Sequence, residues 1–185
     1  MTVPPLPTLI TCGNLAAGFL AVLLAIRGDF TEASALVLVA ATLDLLDGVV
    51  ARKGDCDGDF GGNLDSLADS VSFGVAPAIA IYLSTLNAIP IFGLVACVFY
   101  VVCGALRLAR FPLVKRPKHF VGLPIPPAGV MLAGLAIPNL SPLLVLVSIL
   151  ILSILMVSTL PIPKLSGISL PGRSRDKKRP TAEEI

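Results

Sequence analysis

Long stretches of uncharged, mostly apolar residues dominate this sequence. Three of them run from Leu9 to Ile26, from Ser70 to Leu106 and from Phe120 to Pro163. A helix needs about 20 apolar residues to cross the hydrocarbon core of a bilayer. Only 14% of the residues are charged, whereas a soluble domain carries about 25%. The sequence therefore predicts an all-α integral membrane protein rather than a soluble one.

Charges and turn-forming residues divide the apolar stretches into six predicted transmembrane helices. The first spans Leu9–Ile26 and the second Ala33–Ala51. The third opens near Asn63 and ends at a turn formed by residues 87–90, where the fourth begins. Prolines and an asparagine at residues 138–142 separate the fifth helix from the sixth. We expect one transmembrane domain over residues 1–163.

The basic residues indicate the orientation of these helices. Of the 14 Lys and Arg residues, all but Arg27 follow the second, fourth or sixth helix. The positive-inside rule then places both termini on the cytoplasmic side of the cell membrane. Residues 164–185 are expected to form a mobile basic tail. No Lys or Arg precedes the first apolar run, so we expect no cleaved signal peptide.

Four aspartates lie inside predicted membrane helices, where each carboxylate costs about 2.5–3.5 kcal/mol and usually signals a function. Asp44 and Asp47 are three residues apart, and Asp65 and Asp69 are four apart, so each pair shares one helix face. Asp44 and Asp69 are each expected eight residues from the cytoplasmic helix ends, at a depth of roughly 12 Å, so the two pairs should face each other. Carboxylates so placed repel unless cations neutralise them or several are protonated. Oxygen ligands suit Mg²⁺, Mn²⁺ or Ca²⁺, and two such ions can clamp a transferring phosphoryl group.

Small and basic residues extend this acidic pattern into a longer motif. Gly48 and Ala51 share the face of the first aspartate pair and leave room for a ligand, and Arg52 can pair with phosphate oxygens. The motif has the spacing D-x2-D-G-x2-A-R-x8-G-x3-D-x3-D. Its positions are Asp44, Asp47, Gly48, Ala51, Arg52, Gly61, Asp65 and Asp69. All eight are similar to the signature of the CDP-alcohol phosphotransferase family, and the predicted six-helix topology resembles that family's fold.

The resemblance implies a homodimeric membrane enzyme that joins a CDP-linked lipid to an alcohol and releases CMP. It implies that the four aspartates bind two divalent cations, Mg²⁺ or Mn²⁺, and that Asp69 is the catalytic base. The implied CDP-binding residues are Asp47, Gly48, Ala51, Arg52 and Gly61.

Three further stretches are similar to the branch of that family that uses serine as its acceptor. They are DFGGNLDSLADSVSFGVAPA at residues 59–78, ALRLARF at residues 105–111 and GLPIPPAG at residues 122–129. This resemblance implies phospholipid synthesis from L-serine and either CDP-diacylglycerol or its ether-linked equivalent. Glycerol phosphate and inositol phosphate are alternative acceptors. No nucleic-acid partner is expected.

Three other interpretations stay open at the level of sequence. Arg107 and Arg110, at the cytoplasmic end of the fourth helix, could bind the acceptor or the lipid phosphate. They are equally consistent with simple anchoring to anionic headgroups. For Asn14, inside the first helix, an interhelical hydrogen bond is favoured over a nucleotide contact. The intramembrane aspartates alone would also suit a cation or proton transporter.

Overall fold

The computed structural model describes residues 5–51, 59–110, 122–137 and 140–158, and these ranges are helical apart from short turns. In chain order the elements are α1 (Pro5–Arg27), α2 (Phe30–Ala51), α3 (Asp59–Asp69), a π-helix (Ser70–Val75), α4 (Ala76–Ser84), a 3-10 turn (Leu86–Ala88), α5 (Pro90–Arg110), α6 (Ile125–Leu135) and α7 (Pro142–Val157). The all-α prediction is confirmed over the described residues. The predicted tail at residues 164–185 lies outside them.

Three helical stretches of the described chain are long and apolar enough to cross a membrane, judged by length and composition. They are Thr8–Arg27, Phe60–Ser84 and Pro90–Arg110. The helices α6 and α7 are apolar but shorter. Large apolar side chains cover the outer surface of the bundle, with Leu9 and Phe92 each 71% exposed. An apolar exterior of this kind suits contact with lipid. The expectation of six membrane spans goes beyond these three helices and stays a prediction.

A tight turn joins α1 to α2 as an antiparallel pair. Gly28 ends α1 with a φ of 90°, in the left-handed region that favours glycine. The N–H of Asp29 then donates to the carbonyl oxygen of Leu24 at 3.0 Å. Small residues such as Ala21 on α1 and Ala33 on α2 are buried, which lets the two backbones approach closely.

The third predicted helix is a composite of α3, the π-helix and α4. It begins at Asp59 rather than near Asn63. The predicted turn at residues 87–90 is confirmed, because a 3-10 turn precedes the start of α5 at Pro90. The composite helix packs against α1, α2, α5 and α6. This central position turns Asp69, at the end of α3, toward the interior.

The last two predicted helices correspond to α6 and α7. The fifth is α6, which carries its prolines in the first turn, where a missing N–H costs little. The sixth is α7, whose described part ends at Val157. The helix α6 packs against the π-helix, and α7 packs mainly against α5. Phe73, Tyr100 and Leu132 are fully buried in the shared core.

Candidate active site

Three carboxylates from two helices converge within the described part of the bundle. Asp44 of α2 and Asp65 and Asp69 of α3 each offer an oxygen within 4.8 Å of the others. Asp44 and Asp65 are half-buried, and Asp69 is 6% exposed. The spacing of four residues on α3 places Asp65 and Asp69 on one face, as expected. Three hard oxygen donors at this separation fit a divalent cation such as Mg²⁺ or Mn²⁺.

Asp47 is buried beside this group but lies outside the set of three. Its side chain is 8% exposed and its Oδ2 accepts a hydrogen bond from the hydroxyl of Thr11 on α1. The charges of Asp47 and Asp65 are close enough to interact. Metal binding by all four aspartates therefore stays a prediction. Sequence reasoning did not identify Thr11, because a threonine in an apolar helix has no distinctive spacing.

Asn14 of α1 contacts the most buried of the three clustered carboxylates. Its Nδ2 donates to Asp69 Oδ1 at 3.3 Å, and the residue is only 1% exposed. The favoured expectation of an interhelical hydrogen bond is confirmed, and the partner is the predicted base. The amide oxygen Oδ1 of Asn14 is buried and has no hydrogen-bond partner among the described residues.

A π-helix begins immediately after Asp69. The N–H of Ala76 donates to the carbonyl oxygen of Val71, which is the i to i+5 bond that defines this wider turn. The hydroxyl of Ser72 donates to the backbone oxygen of Asn14 at 3.0 Å, tying the segment to α1. Short π-helical segments often occur at functional sites. Here the segment links the orientation of α3, with its aspartates, to that of α1.

Two glycines and a tyrosine hold the π-helix from three sides. A Cβ at Gly18 of α1 would lie 2.7 Å from the Cα of Ser72, and one at Gly129 of α6 would lie 2.7 Å from the Cα of Phe73. Only glycine allows backbones to approach this closely. From α5, the buried Tyr100 hydroxyl donates to the carbonyl oxygen of Phe73 at 3.0 Å. These contacts fix the segment that follows Asp69.

The two arginines at the end of α5 differ in burial and in their interaction with the acidic cluster. Arg107 is half-buried, and its guanidinium interacts electrostatically with the carboxylate of Asp69. Its Nε is buried without a hydrogen-bond partner among the described residues. Arg110 is exposed. Arg107 is therefore the arginine that lies within electrostatic reach of the acidic cluster.

The predicted nucleotide-binding residues are described only in part. Gly48 on α2 and Gly61 on α3 are both exposed. A Cβ at Gly61 would meet no atom of the described residues within 4 Å. Ala51 ends α2, and Arg52 lies outside the described residues. The assignment of these positions to CDP stays a prediction.

Comparison with known proteins agrees with the family resemblance of the aspartate motif. The family model for CDP-alcohol phosphatidyltransferases matches residues 5–162. The chain is 42% identical over 171 residues to an archaetidylserine synthase from Methanothermobacter thermautotrophicus, covering 88% of this chain and 71% of that protein. It is 36% identical over 159 residues to a CDP-diacylglycerol–serine O-phosphatidyltransferase from Bacillus subtilis, covering 85% and 89%. A protein of the same name from Methanocaldococcus jannaschii is 37% identical over 155 residues, covering 84% and 72%.

Proposed function

The chain belongs to the CDP-alcohol phosphatidyltransferase family, and we propose that it transfers a phosphatidyl-type group from a CDP-linked lipid to L-serine. The observation that carries this proposal is the convergence of Asp44, Asp65 and Asp69 within 4.8 Å, in a chain of this family. Serine is the acceptor because the three similar proteins named above all carry serine in their names. The product lipid would be phosphatidylserine or its ether-linked equivalent.

The proposed reaction is a single displacement at phosphorus. The serine hydroxyl oxygen attacks the phosphorus that carries the lipid alcohol, and a new P–O bond forms. The bond from that phosphorus to the bridging oxygen of the diphosphate breaks, and CMP leaves with the electron pair. Asp69 accepts the hydroxyl proton during attack, as a carboxylate within hydrogen-bond reach of a hydroxyl can do. The hydrogen bond from Asn14 to Asp69 Oδ1 leaves the other carboxylate oxygen for this task.

Two divalent cations, Mg²⁺ or Mn²⁺, complete the proposed site. Asp44, Asp47, Asp65 and Asp69 would hold them, and the ions would supply positive charge that offsets the diphosphate and the leaving group. The all-oxygen donor set and the spacing of the three clustered carboxylates support this part of the proposal. Gly48, Ala51, Arg52 and Gly61 are proposed to line the CDP site.

The proposed membrane arrangement follows from the family and from the charge distribution. Six helices within residues 1–163 would cross the cell membrane, with both termini, the basic tail 164–185 and the active site facing the cytoplasm. The enzyme is proposed to work as a homodimer, as the resemblance to the family implies.

Membranes that contain the full-length protein provide the test. They are incubated with CDP-diacylglycerol, Mn²⁺ and one of three acceptors: L-serine, glycerol phosphate or inositol phosphate. CMP and the lipid product are then measured, with membranes of the Asp69→Asn variant as background. We expect CMP release with serine and formation of phosphatidylserine. Release with another acceptor alone would contradict serine as the substrate, and no release with any acceptor or with an ether-linked donor would contradict the proposed chemistry.

A further inference from the structure

Two buried side-chain atoms among the described residues lack a hydrogen-bond partner, and both flank Asp69. One is the amide oxygen of Asn14 on α1 and the other is Nε of Arg107 on α5. Buried polar atoms are nearly always paired, because leaving one unpaired costs free energy. Two such atoms from different helices, each in a residue that interacts with the same carboxylate, indicate a ligand that is held between them.

The two unpaired atoms need ligand groups of opposite hydrogen-bonding character. The orientation of the Asn14 amide is set by Nδ2, which donates to Asp69 Oδ1 at 3.3 Å. Its remaining oxygen can only accept a hydrogen bond, whereas the guanidinium of Arg107 can only donate. The ligand must therefore bring a donor to α1 and an acceptor, preferably anionic, to α5. A third group of the same ligand can then reach Asp69.

We propose that Asn14 and Arg107 form the subsite that selects a zwitterionic amino acid as the acceptor. This inference rests on the proposed function and specifies its acceptor site. The Arg107 guanidinium binds the carboxylate of the amino acid, since a planar fork of donors matches a carboxylate. Asn14 Oδ1 accepts a hydrogen bond from the ammonium group. The hydroxyl of the same molecule is then presented to Asp69.

The same pair of atoms favours a zwitterion over a polyol phosphate. The phosphate could bind Arg107, but a neutral hydroxyl would donate to Asn14 Oδ1 in place of an ammonium group, and a hydrogen bond from a charged donor is stronger. The two arginines of α5 therefore differ in role, and Arg107 rather than the exposed Arg110 binds the acceptor carboxylate.

The test pairs each side-chain deletion with the matching deletion in the substrate. Ethanolamine is serine without the carboxylate, and 3-hydroxypropionate is serine without the ammonium group. For the purified full-length wild type we expect each analogue to lower kcat/KM by about 10- to 150-fold, as for loss of a charged hydrogen bond. In Arg107→Gln the penalty for ethanolamine should disappear, while that for 3-hydroxypropionate persists. In Asn14→Leu the reverse should hold.

Each comparison is the ratio of kcat/KM for an analogue to kcat/KM for serine in the same variant. A substitution that lowers turnover with every substrate therefore leaves the ratio unchanged. Arg27→Gln and Ser34→Ala serve as matched controls. Arg27 is exposed at the far end of α1, and Ser34 makes a buried interhelical hydrogen bond to Ala133 at 2.7 Å. Both controls should keep the wild-type ratios. If each analogue still lowers kcat/KM relative to serine by its wild-type factor in both variants, to within about twofold, the proposed subsite is refuted.

A measurement on the wild type alone covers the case in which a variant fails to fold. L-alanine has both charged groups of serine but no hydroxyl, so it should inhibit competitively against serine. Propionate and ethylamine, each with one of the two charges, should inhibit at least about 10-fold more weakly. Equal inhibition by all three would overturn the subsite. A wild type that uses serine but fails these tests leaves the proposed function standing, whereas one that does not use serine refutes both.

Discussion

Replacing Asp69 by asparagine tests the proposed chemistry with the smallest change in shape. The amide has nearly the same volume as the carboxyl group, and its oxygen can still accept the hydrogen bond from Asn14. The substitution removes the proposed base and one negative charge from the cluster. A general base contributes about 100- to 10,000-fold to a rate, so kcat should fall by a factor in this range.

The same substitution should stabilise the metal-free protein. Two unit charges 4.8 Å apart repel by about 3.5 kcal/mol at an effective dielectric constant of about 20. Asp69 takes part in two of the three pairs formed with Asp44 and Asp65, so its neutralisation relieves the repulsion in both pairs when all three carboxylates are ionised. In the presence of EDTA and at alkaline pH, where the buried carboxylates are ionised, the variant should therefore unfold at a higher temperature than the wild type.

The assay uses the purified full-length chain in detergent. CMP release is measured at saturating serine over a series of Mn²⁺ concentrations, CDP-lipid affinity by competition, and thermal unfolding with and without EDTA. Asp29→Asn is the matched control, because Asp29 is exposed in the turn just before α2 and its substitution should change neither property. Turnover of Asp69→Asn within about threefold of the wild type would refute the base. Recovery of turnover at high Mn²⁺ would indicate a ligand instead, and a lower unfolding temperature in EDTA would refute the repulsion argument.

Three further predictions concern the packing around the site and its metal. Gly129→Ala places a Cβ 2.7 Å from backbone atoms of Phe73 and should destabilise the protein by about 1–3 kcal/mol in thermal unfolding. A Cβ at Gly134 on the same helix would meet no atom of the described residues within 4 Å, so Gly134→Ala should be neutral or stabilising. Equal effects of the two substitutions would contradict the close-approach argument. Tyr100→Phe removes the donor to the carbonyl oxygen of Phe73 and should lower the free energy of unfolding by about 1 kcal/mol. The control Tyr82→Phe should leave it unchanged, and equal unfolding temperatures of the two variants would contradict a stabilising role of this hydrogen bond. EDTA should abolish CMP release and Mn²⁺ or Mg²⁺, but not Na⁺, should restore it; release that persists in EDTA would argue against metal dependence.

Much of the fold could be predicted because the signals are local. Apolar runs of sufficient length must form helices in a bilayer, since every backbone N–H and carbonyl needs a partner inside the segment. The turn before Pro90 follows from the residues that form it. The start of α3 was less accurate, because a run of apolar residues does not mark where a helix starts.

The candidate site was predictable where its residues are near one another in the chain. The spacing of Asp65 and Asp69 places both on one face of α3, and the structure brings Asp44 to them. The likeness of the aspartate motif to a known family is confirmed by the match over residues 5–162, which argues against the transporter alternative. The partners of these aspartates on α1 were harder to predict. Thr11 and Asp47 are 36 residues apart, and Asn14 and Asp69 are 55 apart.

The amino-acid sequence by itself determined that the chain is helical, that it suits a membrane, and that its aspartates fall in two pairs on two helices. These properties depend on hydropathy and on the helical repeat, which act over a few turns. Only the tertiary structure decided that Asn14 donates to Asp69, that a π-helix follows Asp69, and that Arg107 rather than Arg110 approaches the cluster. Those features depend on the rotation of each helix about its axis. That rotation is set by side-chain packing between helices far apart in the chain, such as the contacts of Gly129 with Phe73.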